Sequence, residues 1–412
     1  MIETHNTFYK SLKSPTHSPS HPKLHYPNII PTQSFFPPTM AATQREPEEE
    51  THIEVDVLEA IFSLVPLIEL VPACRVSKAW NHAVFSSLTH LKQIKPWLII
   101  LTQTTRASRV VTEHAYDPRS HAWLQIKHQP LITKAGEFPT VRSSHSTLLY
   151  TLTPSEFTFS IDALHLEWHH ASSPRVWRTD PIIARVGSHV VVAGGACEFE
   201  DDPLAVEMYD MESCDWVRCQ SMPEKLKNTS ASTWQSVSVV GETLLVTEKD
   251  SGVTYSFNTI AMKWEGPYYL RPDQSVFYCV TGTLSEKLMV VGLVGEAGNV
   301  REVKLWVVKD GLVSGMKEIG LMPKEMVEKL KGDSEFGSVE VIWVGDFVYL
   351  RNTLVLEELV VCEVMNGSLC DWRSVRNVAV DGGTRMVFCG GDVCIEDLQK
   401  AVLSEKRKFC MK

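Results

Sequence analysis

Apolar positions along the chain change their period near residue 95. From Ile53 to Leu88 they recur at helical spacing, as Val57, Leu58, Ile61, Phe62 and Val65, then Leu67, Leu70 and Val71, then Cys74, Val76, Ala79, Trp80, Ala83, Val84 and Leu88. Pro66 and Pro72 interrupt the run, so the pattern predicts three short amphipathic helices. So small a helical unit gains stability from a partner surface. Beyond Pro96 the apolar runs shorten to strand length, beginning with Trp97 to Leu101, and turn residues separate them.

These strand-sized runs repeat. The clearest unit runs from Gly187 to Pro223: an apolar run from His189 to Ala193, the pair Gly194-Gly195, an acidic loop from Glu198 to Asp202, Tyr209-Asp210, a turn, Trp216, and Met222-Pro223 as a stop. Trp123, Trp168, Trp216 and Trp264 stand 45, 48 and 48 residues apart, each after a Tyr-Asp or an equivalent strand. Two weaker units follow, one with Trp306 a strand early and one ending at Trp372, with a helical insert expected over Lys324 to Lys331. About six units of three to four strands predict a β-propeller, in which radial repetition leaves few exposed edges. The first unit lacks its leading strand, and Arg385 to Cys389 is expected to return and complete it.

Composition adds boundaries. Residues 1–39 hold seven prolines, four histidines and no arginine, which predicts disorder over 1–49 and does not fit an Arg-rich organellar presequence. Met40 is the more natural start. The helical unit is placed at 50–91, the β domain at 96–398 and a solvated basic tail, with Lys406-Arg407-Lys408, at 399–412. A net charge of -10 disfavours a nucleic-acid surface, and no apolar run is long enough for a membrane helix. The ten scattered cysteines lack zinc-ligand spacing and read as reduced thiols, which points to the cytoplasm and/or nucleus. No GxSxG, Walker, HExxH or GxGxxG motif occurs. His165, His169 and His170 cluster on a strand and its turn and are expected to be surface or structural residues, with no metal and no cofactor.

The order Asp56, Leu58, Ile61-Phe62-Ser63, Val65-Pro66-Leu67, Leu70, Cys74-Arg75-Val76 and Lys78-Ala79-Trp80 resembles an F-box, departing from it at Ile53-Glu54 and Pro72. The Gly-Gly of the third unit and the recurring Tyr-Asp and Trp resemble kelch repeats. Together they look like the plant F-box/kelch proteins, which implies a mainly β, kelch-type propeller preceded by a small all-α F-box domain. The resemblance implies a non-catalytic substrate receptor of an SCF ubiquitin ligase, docking a Skp-type adaptor and through it cullin, while the propeller holds a target protein. Leu58, Ile61, Phe62, Val65, Pro66, Leu67, Leu70, Val76 and Trp80 are the adaptor-binding candidates, with contact and core roles not separated. Glu198, Glu200, Asp201 and Asp202 are the foremost target-binding candidates, with the loops Thr104 to Arg109 and Glu296 to Arg301 beside them. A kelch scaffold without a ligase role, or a metal-dependent or carbohydrate-binding propeller, are the alternatives.

Overall fold

A computed structural model describes residues 54–91, 93–104, 110–128, 140–195, 202–227, 231–309, 311–312, 315–333, 336–365, 367, 369–380, 384–403 and 407–412. The segment expected to be disordered, 1–49, lies outside the described residues. Three helices come first: α1 (Val55–Leu64), α2 (Leu67–Ala73) and α3 (Lys78–Ser86). Val65 and Pro66 are extended, which separates α1 from α2. Pro72 falls in the last turn of α2, where it ends the helix. Ser77 caps α3, its hydroxyl accepting the Trp80 N–H at 3.2 Å.

The remaining chain forms a six-bladed propeller. Blade 1 contains β1 (Trp97–Thr104), β2 (Val110–Asp117) and β3 (Ala122–His128). Blade 2 is β4 (Arg142–His145), β5 (Leu148–Leu152), β6 (Glu156–Ser160) and β7 (His169–Ser172). Blade 3 is β8 (Ile182–Val186), β9 (His189–Ala193), β10 (Val206–Asp210) and β11 (Asp215–Arg218). A helical turn, α4 (Ala231–Trp234), precedes blade 4: β12 (Gln235–Val240), β13 (Thr243–Glu248), β14 (Val253–Asn258) and β15 (Lys263–Tyr269). Blade 5 is β16 (Val276–Leu284), β17 (Lys287–Glu296), β18 (Asn299–Val308) and β19 (Met316–Leu321). After α5 (Lys324–Lys331), blade 6 is β20 (Glu340–Val344), β21 (Phe347–Arg351), β22 (Glu358–Met365) and β23 (Leu369–Arg376).

The chain then returns to blade 1 twice. β24 (Thr384–Gly391) pairs antiparallel with β1 along its whole length and supplies the missing inner strand. After α6 (Ile395–Leu403), β25 (Arg407–Met411) pairs with β3, so this sheet has the order β24-β1-β2-β3-β25. The basic tail expected at 399–412 is therefore corrected over its described part. Arg407 is buried and its guanidinium lies 3.1 Å from Glu113, a fully buried carboxylate on β2 that needs a compensating charge.

Six apolar clusters fill the gaps between neighbouring blades. Within β1, Leu98 and Ile100 pack toward blade 6, while Trp97, Ile99 and Leu101 pack toward blade 2 and the N-terminal helices. Both faces of such a strand are covered, which is why its sequence is a continuous apolar run.

The repeated Tyr-Asp and Trp have separate local jobs. Tyr116 pairs across the ladder with Trp123, Tyr209 with Trp216 and Phe257 with Trp264, at ring distances of 5.1, 5.2 and 5.1 Å. The following Asp or Asn folds the turn: Asp117 accepts the Arg119 N–H, Asp210 the Glu212 N–H, and Asn258 the Ala261 N–H. Trp216 and Trp264 then donate their indole N–H to Ser172 O and Gln220 O in the preceding blade or its exit. Blade 2 departs from the expectation. Its ladder partner for Phe159 is His169, stacked at 5.2 Å, and Trp168 stands just before the strand.

Candidate interaction surfaces

The N-terminal helices bury one set of their apolar residues and expose another. Leu58, Phe62, Leu67 and Leu70 are buried in a core shared with blade 1 and α6. Their burial places these four in the core role, which the sequence left unseparated from the contact role. Trp80 is half-buried with its ring edge-on to Phe62 at 5.3 Å, and Val65 and Pro66 are half-buried. Ile61 and Val76 are 47% and 60% exposed. On α1, Ile61 lies between Val57 and Leu64, which are 49% and 78% exposed. The spacing i, i+4, i+7 aligns the three on one helix face. Val57 and Leu64 were absent from the expected contacts, although their register with Ile61 was legible in the periodicity.

This helical unit is tied to the propeller by polar contacts as well as by the shared core. Arg119, in the β2–β3 turn of blade 1, is buried and donates to Val65 O at 2.6 Å and Phe62 O at 2.9 Å, carbonyls at the α1 C-terminus. A guanidinium there adds a donor to these terminal carbonyls, Phe62 O also accepting the Val65 N–H, and complements the negative end of the helix dipole. The turn is shaped by Asp117, which also accepts from the Ser120 hydroxyl at 2.6 Å. The second kelch-like feature, Tyr-Asp, thus positions a clamp on the first domain.

The opposite end of the propeller is different. The inner strands β24, β4, β12, β16 and β20 line a channel of about 1050 Å³, with Thr179 and Asp180 contributed from just before β8. All inner strands run the same way. Trp97 at the start of β1 pairs with Gly391 at the end of β24, and Asp117 lies at that same end, so the helices sit where inner strands finish. Arg142, Asp180, Glu340 and Arg385 sit at or beside the starts of inner strands, at the distal mouth. Arg142 pairs with Asp180 at 3.2 Å and Glu340 with Arg351 at 2.9 Å. Lys249, next to Trp234, donates to Thr233 O at 3.1 Å; burial lowers its pKa, opposed by Glu340, Asp250 and Asp180. Burial raises Tyr150 to about 12, so it enters as a neutral phenol.

Of the loops expected to touch a target, the described parts border this same mouth. Thr104 pairs with Thr384 at the start of β24, and the exposed β17–β18 hairpin around Glu296 lies beside the start of β16. Asp202 pairs with Arg218 at 2.7 Å; Glu198, Glu200, Asp201 and residues 105–109 lie outside the described residues. The histidines go elsewhere: His165 pairs with Asp162 at 2.7 Å, His170 with Glu156 at 2.8 Å, and His169 stacks on Phe159. Among the described residues no group of three or more His, Cys, Asp or Glu could hold a metal ion, and no helix is long and apolar enough to cross a membrane.

Comparison with known proteins gives one relative across most of the chain. F-box/kelch-repeat protein At1g23390 of Arabidopsis thaliana is 43% identical over 370 residues, 86% of this chain and 93% of that protein. Kelch repeat and BTB domain-containing protein 8 of Danio rerio is 28% identical over 112 residues, covering 26% of this chain and 17% of that one. No family model matches the sequence. Among solved structures, a fungal copper-bound alcohol oxidase covers 69% of this chain and 63% of its own with a TM-score of 0.43 at 11% identity, a level that supports no conclusion about this chain.

Proposed function

The chain belongs to the plant F-box/kelch-repeat proteins, and from that premise we propose that it is the substrate-recognition subunit of an SCF-type ubiquitin ligase. The observation that carries this reading is the exposed apolar face of α1, Val57, Ile61 and Leu64, on a helical unit whose Leu58, Phe62, Leu67 and Leu70 are packed into the core shared with the propeller. Exposed apolar residues aligned on one face mark a docking surface, and the family makes a Skp-type adaptor its occupant, with cullin behind it. The propeller then presents the target from the distal side. In this reading the chain does no bond chemistry. It raises the effective concentration of target lysines near a charged conjugating enzyme, in the cytoplasm or nucleus.

Affinity purification with mass spectrometry tests this on the full chain, comparing wild type with Ile61→Asp. Wild type should recover adaptor and cullin, and the variant should lose both while keeping propeller-bound partners. Equal adaptor recovery by the two would remove the assignment of α1. Absence of adaptor and cullin from wild type would leave the scaffold reading in its place.

A further inference from the structure

The distal mouth carries two guanidiniums, Arg142 and Arg385, of which one is paired with a carboxylate. Arg142 begins β4 and Arg385 lies at the start of β24, on neighbouring blades. Arg385 donates to the carbonyl of Val141, the residue before Arg142, so the two side chains meet at one peptide. Asp180 pairs with Arg142; Arg385 has no carboxylate partner among the described residues. Two further carboxylates line the cavity: Glu340, taken by Arg351, and Asp250, which acts on the neighbouring Lys249. Each arginine of the pair spends one N–H on a described acceptor, leaving a planar fork of donors of the kind that matches a carboxylate. The Arg142 charge also works against that of Arg385, lowering its pKa after burial does.

Blade 4 supplies the other wall. Trp234 lines the same cavity and is 52% exposed, while the adjacent Lys249 is anchored to Thr233 O. An exposed indole beside a desolvated cation is the composition of an interface anchor. Phe277 of blade 5 continues the apolar side of the wall.

We infer that the distal mouth captures an acidic segment of the target protein, an Asp or Glu carboxylate seating on Arg142 and Arg385 and an adjoining apolar side chain covering Trp234. This rests on the propeller being the target-binding domain and specifies what it binds. The surplus guanidinium at the mouth sets the sign of the charge, and the indole sets the apolar neighbour. Because the mouth faces away from α1, such a segment and an adaptor can be held at once.

Selection from a phage library of randomised peptides tests the inference, with the full-length chain as bait in wild-type and Arg385→Glu forms. Wild type should enrich Asp and Glu next to aliphatic or aromatic residues. Arg385→Glu should reverse the preference toward Lys and Arg, a gain that unfolding cannot produce. A synthetic peptide from the wild-type pool should bind Arg385→Gln roughly 10- to 100-fold more weakly, which covers the case in which the charge reversal fails to fold. No acidic enrichment by wild type, or the same enrichment by both forms, overturns the inference. Adaptor capture measured on the same preparations separates the two readings: acidic selection without adaptor capture would sink the ligase role and leave this site standing.

Discussion

Gly282 lies in β16, the inner strand of blade 5, against the Trp343 indole of blade 6, and an added Cβ would overlap that ring. Gly282→Ala is expected to cost about 1–3 kcal/mol through overpacking, read as a lower Tm in a thermal melt; an unchanged Tm would mean that the two blades separate without cost. That contact could not be read from sequence, since it joins residues from different units. The Tyr-Asp and Trp signature could be read, because its two jobs are local: an aromatic pair across one ladder and an Asx turn between the strands. It misled in blade 2 for a local reason too. Phe159 is ten residues from its partner His169, where Tyr116 and Tyr209 are seven from theirs, and the longer turn carries Leu166 at a φ of 49°. Trp168 kept the period of the repeat while falling one residue outside the ladder, and a one-residue slip changes the face.

At the scale of elements, the helices and strands were legible in their periods, but not which residues of a helix face a partner. The nine expected F-box residues divide by burial into core, such as Leu58 and Phe62, and surface, such as Ile61, because blade 1 and α6 cover one side. Nothing local announces that cover; it is built by residues of blade 1 and α6, in other parts of the chain. Arg119 is the plainest case, reaching Phe62 O and Val65 O across 57 and 54 residues of chain. Arg119→Met retains bulk but removes two charge-assisted bonds at the α1 C-terminus, and about 1.5–3 kcal/mol of stability should go with them. Hydrogen exchange should show α1 losing protection before the distal blades do. Uniform loss across blades 1 to 6 would mean that the clamp belongs to the global fold instead. The tail teaches the same lesson from the other end, since Arg407 looks solvated until the buried Glu113 is placed beside it.

For the whole molecule, ring closure by β24 and the outer strand β25 puts both ends of the propeller on blade 1, with the helices clamped to one side. The inner strands share a direction, so the proximal and distal ends of the propeller differ in chemistry: apolar contact with the helices at one, an arginine pair and an exposed tryptophan at the other. The proposed receptor role would use such a division, one end for the machinery and the other for the target. Whether α1 presents the proposed adaptor-binding face is decided by calorimetric titration of a purified plant Skp-type adaptor into the purified chain, as wild type and as Leu64→Asp, with melts showing equal Tm. Leu64 is 78% exposed, so a charge there should leave the fold intact. Wild type should bind saturably and Leu64→Asp at least roughly tenfold more weakly; equal affinities, or no binding by wild type, would rule that face out.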